Sequence, residues 1–426
     1  MRETALEAAL RDPFVWADMG EGVRVACDVR KRAITWTPGT TPLPTFVDIA
    51  QRLRDDRTAA AERVNRLLDM DPSGWRPTVT ADVSYRTVAV VEGILASVQK
   101  TRHLTWRCFE LTKLATEIAE VIDDSWPALM RAQVASEAWA EHALALLSLG
   151  RYLDVEIAAH RAYEYTQAYP TLAIEAALAQ YIEGTAVLRQ GRHDEALRLA
   201  LTSGTTFLEF GDKQRYVKAR LLEGYALYDA KRFQESGELW TSLIADAQAI
   251  GDRSILAYLY NNIGNSLRNV GKLARARWYL GHALTLFVEL GNAYAREVPR
   301  VRLSIARVML QNGQLPQALA EMRETRSLFA RLEMASGVAA AELDICEILI
   351  VMERIDEAQA ICSGLPAVFR ELGMQRNELE AAAFLKECAD EKRLRVSQVQ
   401  YVREYMRDLP QNPGRPFMRP QQEVEG

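Results

Sequence analysis

The sequence predicts an all-α fold, an α-solenoid of stacked helical hairpins wound into a right-handed superhelix. Three observations predict it. Gly211, Gly251 and Gly291 recur at 40-residue spacing, inside the breaks Glu209-Phe210-Gly211-Asp212, Ala249-Ile250-Gly251-Asp252 and Glu289-Leu290-Gly291-Asn292, and a further break follows at Glu371-Leu372-Gly373-Met374. Halfway between them lie shorter breaks at Gln190-Gly191-Arg192, Ala230-Lys231-Arg232, Val270-Gly271-Lys272 and Asn312-Gly313-Gln314. The stretches between breaks carry apolar residues at helical spacing. Each unit therefore reads as helix, tight turn, helix, looser turn, and self-similarity at this period is the mark of a helical-hairpin array.

The elements follow in order. Residues 1–43 differ in composition: Arg24-Val25-Ala26-Cys27-Asp28-Val29 and Arg32-Ala33-Ile34-Thr35-Trp36 are rich in β-branched and aromatic residues, with Pro38-Gly39 and Pro42-Leu43-Pro44 behind them. They are expected to form an irregular cap or a small β-hairpin. Residues 44–126 form an atypical helical region, stopped once at Asp71-Pro72-Ser73-Gly74 and again at Asp123-Asp124-Ser125-Trp126-Pro127. The regular array is expected over 127–373, as hairpins 128–169, 172–210, 213–250, 253–290, 293–332 and 335–372. Helices at 374–391 and 394–408 then act as the C-terminal cap, since an end unit must cover an open apolar face. The tail 409–426 holds Pro410, Pro413, Pro416 and Pro420, which rules out regular helix and predicts an extended arm.

Bulk composition narrows the function. The net charge of -5 over 426 residues argues against a general nucleic-acid binder, which needs a clustered basic surface. Five cysteines, Cys27, Cys108, Cys346, Cys362 and Cys388, are widely spread without metal-ligand spacing, as expected of buried thiols in a reducing compartment. The start, Met1-Arg2-Glu3-Thr4-Ala5-Leu6-Glu7, lacks the apolar core of a secretory leader. No uncharged apolar run reaches the roughly 18 residues of a membrane span. A cytoplasmic location is expected.

No catalytic pattern emerges. The chain has no phosphate-cradling glycine loop ending in Lys-Ser or Lys-Thr, no His-Glu-x-x-His and no Gly-x-Ser-x-Gly. His103, His142, His160, His193 and His282 are isolated and read as surface or hairpin-packing residues. Asp55-Asp56 and Asp123-Asp124 sit at helix boundaries, where they complement helix N-termini. No enzyme activity, cofactor or metal is expected.

The hairpins resemble tetratricopeptide repeats. Trp139, Ala143, Gly150 and Tyr152 match the family pattern in the first hairpin, and Gly184, Gly191 and Ala196 in the second. In the third, Gly224 and Phe233 match, while Ser236 stands for the usual alanine and Lys231 for the turn glycine. The fourth is nearest to the pattern, with Tyr260, Asn262, Gly264, Asn265, Gly271, Ala276 and Ala283. Ala306, Gly313 and Ala318 match in the fifth. The sixth keeps Ala358 but has Cys346 and Glu353 at positions usually small or glycine. The unit exceeds the usual 34 residues, which is similar to the long-repeat branch found in peptide-sensing bacterial regulators, kinesin light chains and polarity adaptors.

The resemblance implies a register and, with it, a ligand groove lined by the first helix of each hairpin. In that register the groove positions are Tyr181, Thr185 and Arg189 in the second hairpin, and Lys218, Tyr225 and Tyr228 in the third. In the fourth they are Tyr258, Asn261, Asn265, Arg268 and Asn269, and in the fifth Arg300, Arg307 and Gln311. Asn261, Asn265 and Arg268 fall at i, i+4 and i+7 and share one helical face. Asparagine can donate to and accept from a peptide backbone, and arginine can fork onto a carboxylate. With the groove empty, Asn261, Asn265, Arg268, Arg300 and Arg307 are expected to point into solvent, so that replacing Asn265 and Arg268 affects folding little.

A basic C-terminal set, Lys392, Arg393, Arg395, Arg403, Arg407, Arg415 and Arg419, reads as a solvated cap helix and linker, and Phe417 as either a docking motif or a residue folded back on the array. The function expected is a non-enzymatic adaptor or regulator whose groove binds a protein or extended peptide. Two alternatives share the fold: a peptide sensor that changes superhelical curvature, and a regulatory subunit of an enzyme-containing assembly. A docking or inhibitory role for residues 1–43 also stays open. Neither nucleic acid nor membrane is an expected partner, and the sequence does not fix the oligomeric state.

Overall fold

The computed structural model describes residues 44–101, 105–409 and 415–420, and among the described residues there is no β-strand. The β-hairpin expected within residues 1–43, Cys27 and His103 lie outside them. The chain divides into two compact units, one of residues 1–186 and 205–212, the other of 187–204 and 213–426.

In the first unit, α1 (Pro44–Asp69) is a single 26-residue helix. It is followed by α2 (Trp75–Ala81), α3 (Val88–Lys100), α4 (Thr105–Ala119), α5 (Ala128–Ser148) and α6 (Tyr152–Thr166). The Asp71 side chain accepts from the Ser73 N–H and stops the chain after α1 as the sequence implies. Trp75 fills the corner, its indole N–H donating to the Leu67 carbonyl at 2.6 Å, with the Arg107 guanidinium over its ring. Arg57 forks onto Glu92 with bonds of 2.8 and 2.9 Å, tying α1 to α3. His142 is buried as a packing residue between Phe109 and Trp139, its Nδ1 3.0 Å from the Thr112 hydroxyl. Burial, reinforced by the charges of Lys113 and Arg151, pushes its pKa down to about 4.

Helices α7 (Ala173–Arg189) and α8 (His193–Glu209) contain the division points. The second unit continues with α9 (Lys213–Asp229), α10 (Phe233–Ser242), α11 (Ile244–Ile250), α12 (Arg253–Asn269) and α13 (Leu273–Glu289). Then come α14 (Glu297–Gln311), α15 (Leu315–Arg331), α16 (Ala335–Val351), α17 (Ile355–Glu371), α18 (Arg376–Asp390) and α19 (Val396–Asp408). Within the second unit α12 packs on α13, α14 on α15 and α16 on α17. First helices also touch the first helices of the next hairpin, α12 on α14 and α14 on α16.

Two local features produce this pairing. At the tight turns a residue in the left-handed region lets the N–H groups just past the helix return to its last carbonyls. After α12, Gly271 N–H bonds Arg268 O and Lys272 N–H bonds Leu267 O, with φ +77° at Gly271. Lys231 and Glu353, which replace the turn glycine, hold the same conformation at φ +62° and +57°, with the same closing bonds. Glycines inside helices, in turn, admit bulky neighbours. A Cβ on Gly264 would lie 2.6 Å from Leu280 Cγ, and one on Gly224 would fall inside the Trp240 indole.

The C-terminal end departs from expectation. Residues 415–420 do not extend away as an arm but fold back on α18 and α19. Phe417 packs against Phe384, Tyr401 and Tyr405, while Arg419 forks onto Glu387. The hydroxyls of Tyr401 and Tyr405 donate to the carbonyls of Met418 and Arg415. Aromatic burial and these bonds outweigh the chain entropy that favours an open arm.

Candidate functional site

The polar first-helix face of the second unit is built on α9, α12, α14 and α16. Its side chains form two chemically different groups.

The first group is amide-rich. On α12, Asn265 Nδ2 donates to the Asn261 carbonyl at 3.0 Å and to Asn261 Oδ1 at 3.3 Å, and Asn261 Nδ2 donates to Asn262 Oδ1 at 3.2 Å. These bonds stay within one helix, so neither Asn261 nor Asn265 bolts one hairpin to another. Both are half-buried. Asn262, one position on, is buried in the packing, which separates it from its two neighbours. Asn269 does reach across: its Nδ2 donates to the Tyr228 hydroxyl of α9 at 2.8 Å.

The second group is ionic and anchors the end of the face. Arg307 on α14 donates from Nε to Asp344 Oδ2 at 2.8 Å, and Arg403 on α19 donates from Nη1 to Asp344 Oδ1 at 2.7 Å. Asp344 is fully buried. Arg403 also contacts Glu347, whose other oxygen accepts from Gln400 Nε2 at 2.6 Å. Burial opposes the charge on Arg403, but Asp344 and Glu347 outweigh it and hold its pKa above the ordinary arginine value. A third buried acid of α16, Glu342, pairs with Arg326 at 2.7 Å.

For Arg307 and Arg268 these placements correct the expectation of a side chain that points into solvent. Tyr225 and Tyr228 lay their rings on Trp240, at centroid distances of 5.4 and 6.0 Å. Tyr258 packs on Phe287 at 5.1 Å. Arg307 belongs to the buried ion network. Arg268 is half-buried with its Nε out of reach of water. Of the remaining residues, Arg300 is exposed and pairs with Glu297 one turn before it, at 2.9 Å, and Gln311 is exposed. Lys218 is half-buried and lies near Asp252. Tyr181 and Thr185 belong to the first unit. The basic C-terminal set is not simply solvated either, because Arg403 and Arg419 have carboxylate partners.

Sequence reasoning missed the acids of α16. Glu342, Asp344 and Glu347 stand within the helix Ala335–Val351, which is otherwise almost wholly apolar and buried. Charges inside such a run are the available signal, since buried acids require partners.

The chain matches no family model and no curated protein by sequence. Among solved structures, aspartyl phosphate phosphatase F from Bacillus subtilis superposes with a TM-score of 0.50 at 12% identity, covering 85% of this chain and 96% of that one. The fold is of the tetratricopeptide type. A Rap protein complexed with competence and sporulation factor matches with a TM-score of 0.47 at 11% identity, over 81% of this chain and 99% of that one. The tetratricopeptide-type pairing explains why Gly224 and Gly264 face the second helix. Among the described residues no group of histidine, cysteine and acidic side chains could hold a metal, and no helix is long and apolar enough to cross a membrane.

Proposed function

We propose that this chain is a non-enzymatic regulator or adaptor that binds an extended peptide, or an extended segment of a protein, along the first-helix face of α9, α12 and α14. The observation that carries the proposal is the bonding of Asn261 and Asn265. Half-buried amides in a folded array normally serve its packing, yet these two bond only within their own helix. A peptide backbone offers the alternating donors and acceptors that such amides satisfy. Tyr225 and Tyr228 supply rigid walls beside them, with rings fixed on Trp240.

The test uses a random hexapeptide pool and the full chain. Peptides retained by the protein are sequenced, and the affinity of an enriched one is measured by calorimetry. Replacing Asn261 and Asn265 together by alanine should weaken binding by about 1–3 kcal/mol, the range for a few lost hydrogen bonds, with an unchanged thermal melt. Equal affinity in the double variant, or no peptide retained at all, overturns the reading.

A further inference from the structure

We infer that Cys346 and Cys362 form a redox-responsive dithiol, which a peroxide converts to a disulfide bolting α16 to α17. The site lies apart from the first-helix face and needs no bound peptide.

The repeat register brings the two thiols together. In the third and fourth hairpins the two helices approach closely at one pair of positions. Gly224 faces Trp240 and Gly264 faces Leu280, and a Cβ on either glycine would collide with its partner. In the sixth hairpin the same pair of positions is Cys346 and Cys362, with the same separation of 16 residues. The Cys362 thiol donates to Cys346 Sγ at 3.4 Å, and both residues are fully buried. The sulfurs already touch, and an approach of about 1.4 Å makes the bond.

Helix α17 is weakest at this point. Pro366 lies inside the helix, four residues after Cys362. It has no N–H to return to the Cys362 carbonyl, and a proline ring crowds the carbonyl at that position. Gly364 stands between them, meets nothing within 4 Å and further lowers the stability of the turn. While the turn is closed the pair is inert. Contact with Cys362, and then burial, hold the Cys346 thiol above its ordinary pKa, and the thiolate is the reactive form. Local opening of the turn around Cys362 admits water and a small oxidant.

Cys362, on the weakened turn, reacts first. It gives its proton to water, and its sulfur attacks one peroxide oxygen. The O–O bond breaks, leaving a sulfenic acid and a hydroxide that takes up a proton. The Cys346 sulfur then attacks the Cys362 sulfur. The S–S bond forms, the S–O bond breaks, and the departing hydroxide leaves as water with the Cys346 proton. Two thiols and one peroxide thus give one disulfide and two waters, the sulfurs losing the two electrons that the peroxide gains. The bridge bears on the ion network. Asp344 precedes Cys346 by two residues and Glu347 follows it, so the bond fixes the segment of α16 on which Arg307 and Arg403 converge.

The experiment treats the full chain, reduced and freed of reductant, with hydrogen peroxide under native conditions. Intact mass spectrometry follows the reaction, and a non-reducing tryptic digest locates the bond, since cleavage after Arg354 separates the two cysteines. The expected product lacks two hydrogen atoms and carries a cross-link between the peptides of Cys346 and Cys362, reversed by a dithiol reductant. Pro366→Ala restores the missing N–H and should slow the reaction about five-fold, the factor for one recovered hydrogen bond. Absence of the cross-link in the wild type overturns the inference. So does a bond from Cys362 to Cys388, whose thiol lies near enough to feel its charge. An oxidation rate that Pro366→Ala leaves unchanged overturns it as well.

Discussion

Arg403 Nη1 donates to Asp344 Oδ1 at 2.7 Å, joining the C-terminal helix α19 to the fully buried acid of α16. The bond closes a chain of charge that runs from Arg307 on α14 through Asp344 to Arg403, and on to Glu347. It fixes where the open first-helix face ends, since α19 packs on α16 and covers it. Leu394, Val399, Val402, Tyr405 and Leu409 are buried in the same packing, so α19 is part of the core there.

Removing Arg403 leaves Asp344 with one partner and Glu347 with only an amide. Breaking a buried ion pair from one side costs about 3–5 kcal/mol. Arg403 keeps some contact with water, so Arg403→Met is expected to cost less, about 2–3 kcal/mol on that scale. Chemical denaturation read by circular dichroism checks this. A variant as stable as the wild type shows the network to be ornamental.

Close helix approach predicts opposite outcomes at two glycines of the same hairpin. A methyl at Gly264 would sit 2.6 Å from Leu280 Cγ and 3.2 Å from the Ala276 carbonyl, whereas a methyl at Gly281 meets nothing within 4 Å. Gly264→Ala should destabilise by about 1–3 kcal/mol through overpacking. Gly281→Ala should stabilise by about 0.5–1 kcal/mol, because alanine costs a helix less entropy. Thermal melts that move the same way for both variants contradict the assigned packing.

The tight turns predict a reciprocal pair. Lys231 holds φ +62° where Gly271, forty residues on, holds +77°. Left-handed backbone costs a residue with a side chain about 1–2 kcal/mol, and glycine returns part of that as entropy of the unfolded chain. Lys231→Gly should therefore raise stability by up to about 1 kcal/mol, and Gly271→Lys should lower it by a similar amount. Urea midpoints compared at constant slope decide the matter.

In the first unit, burial and then the charge of Glu175 raise the Glu137 pKa from the ordinary 4.5 to about 7, and Gln133 donates to both carboxylates. Between those values the folded chain binds more protons than the unfolded one, so stability falls as pH rises through the window. The contribution is fully present below about 4.5 and lost above about 7. His142 works oppositely, its folded pKa of about 4 costing stability as pH falls from 6.5. Glu137→Gln isolates the first effect: its melting temperature should gain on the wild type at pH 8 but not at pH 4. An equal difference at both values contradicts the raised pKa.

Repetition made the fold legible. Glycine breaks at a fixed spacing, and the small residues at Gly224, Gly264 and Ala276, report constraints that act within one hairpin or between neighbours. Such constraints recur in the chain as a period. The stripe of Asn261, Asn265 and Arg268 was legible for the same reason, since residues on one helical face are set by local geometry alone.

What the sequence could not determine is which of those polar residues the fold would use. Arg307 and Arg403 lie 96 residues apart and meet on Asp344 only because α14, α16 and α19 pack together. Nothing in their local sequence separates Arg307, which pairs directly with that acid, from Arg268, which bonds the Tyr228 hydroxyl instead. Likewise Phe417 found its aromatic neighbours on α18 and α19 through a reversal of the chain that proline content did not forecast. Local periodicity settles which residues share a face. Burial and long-range charge pairing, which depend on every element at once, settle which of them remain for a ligand.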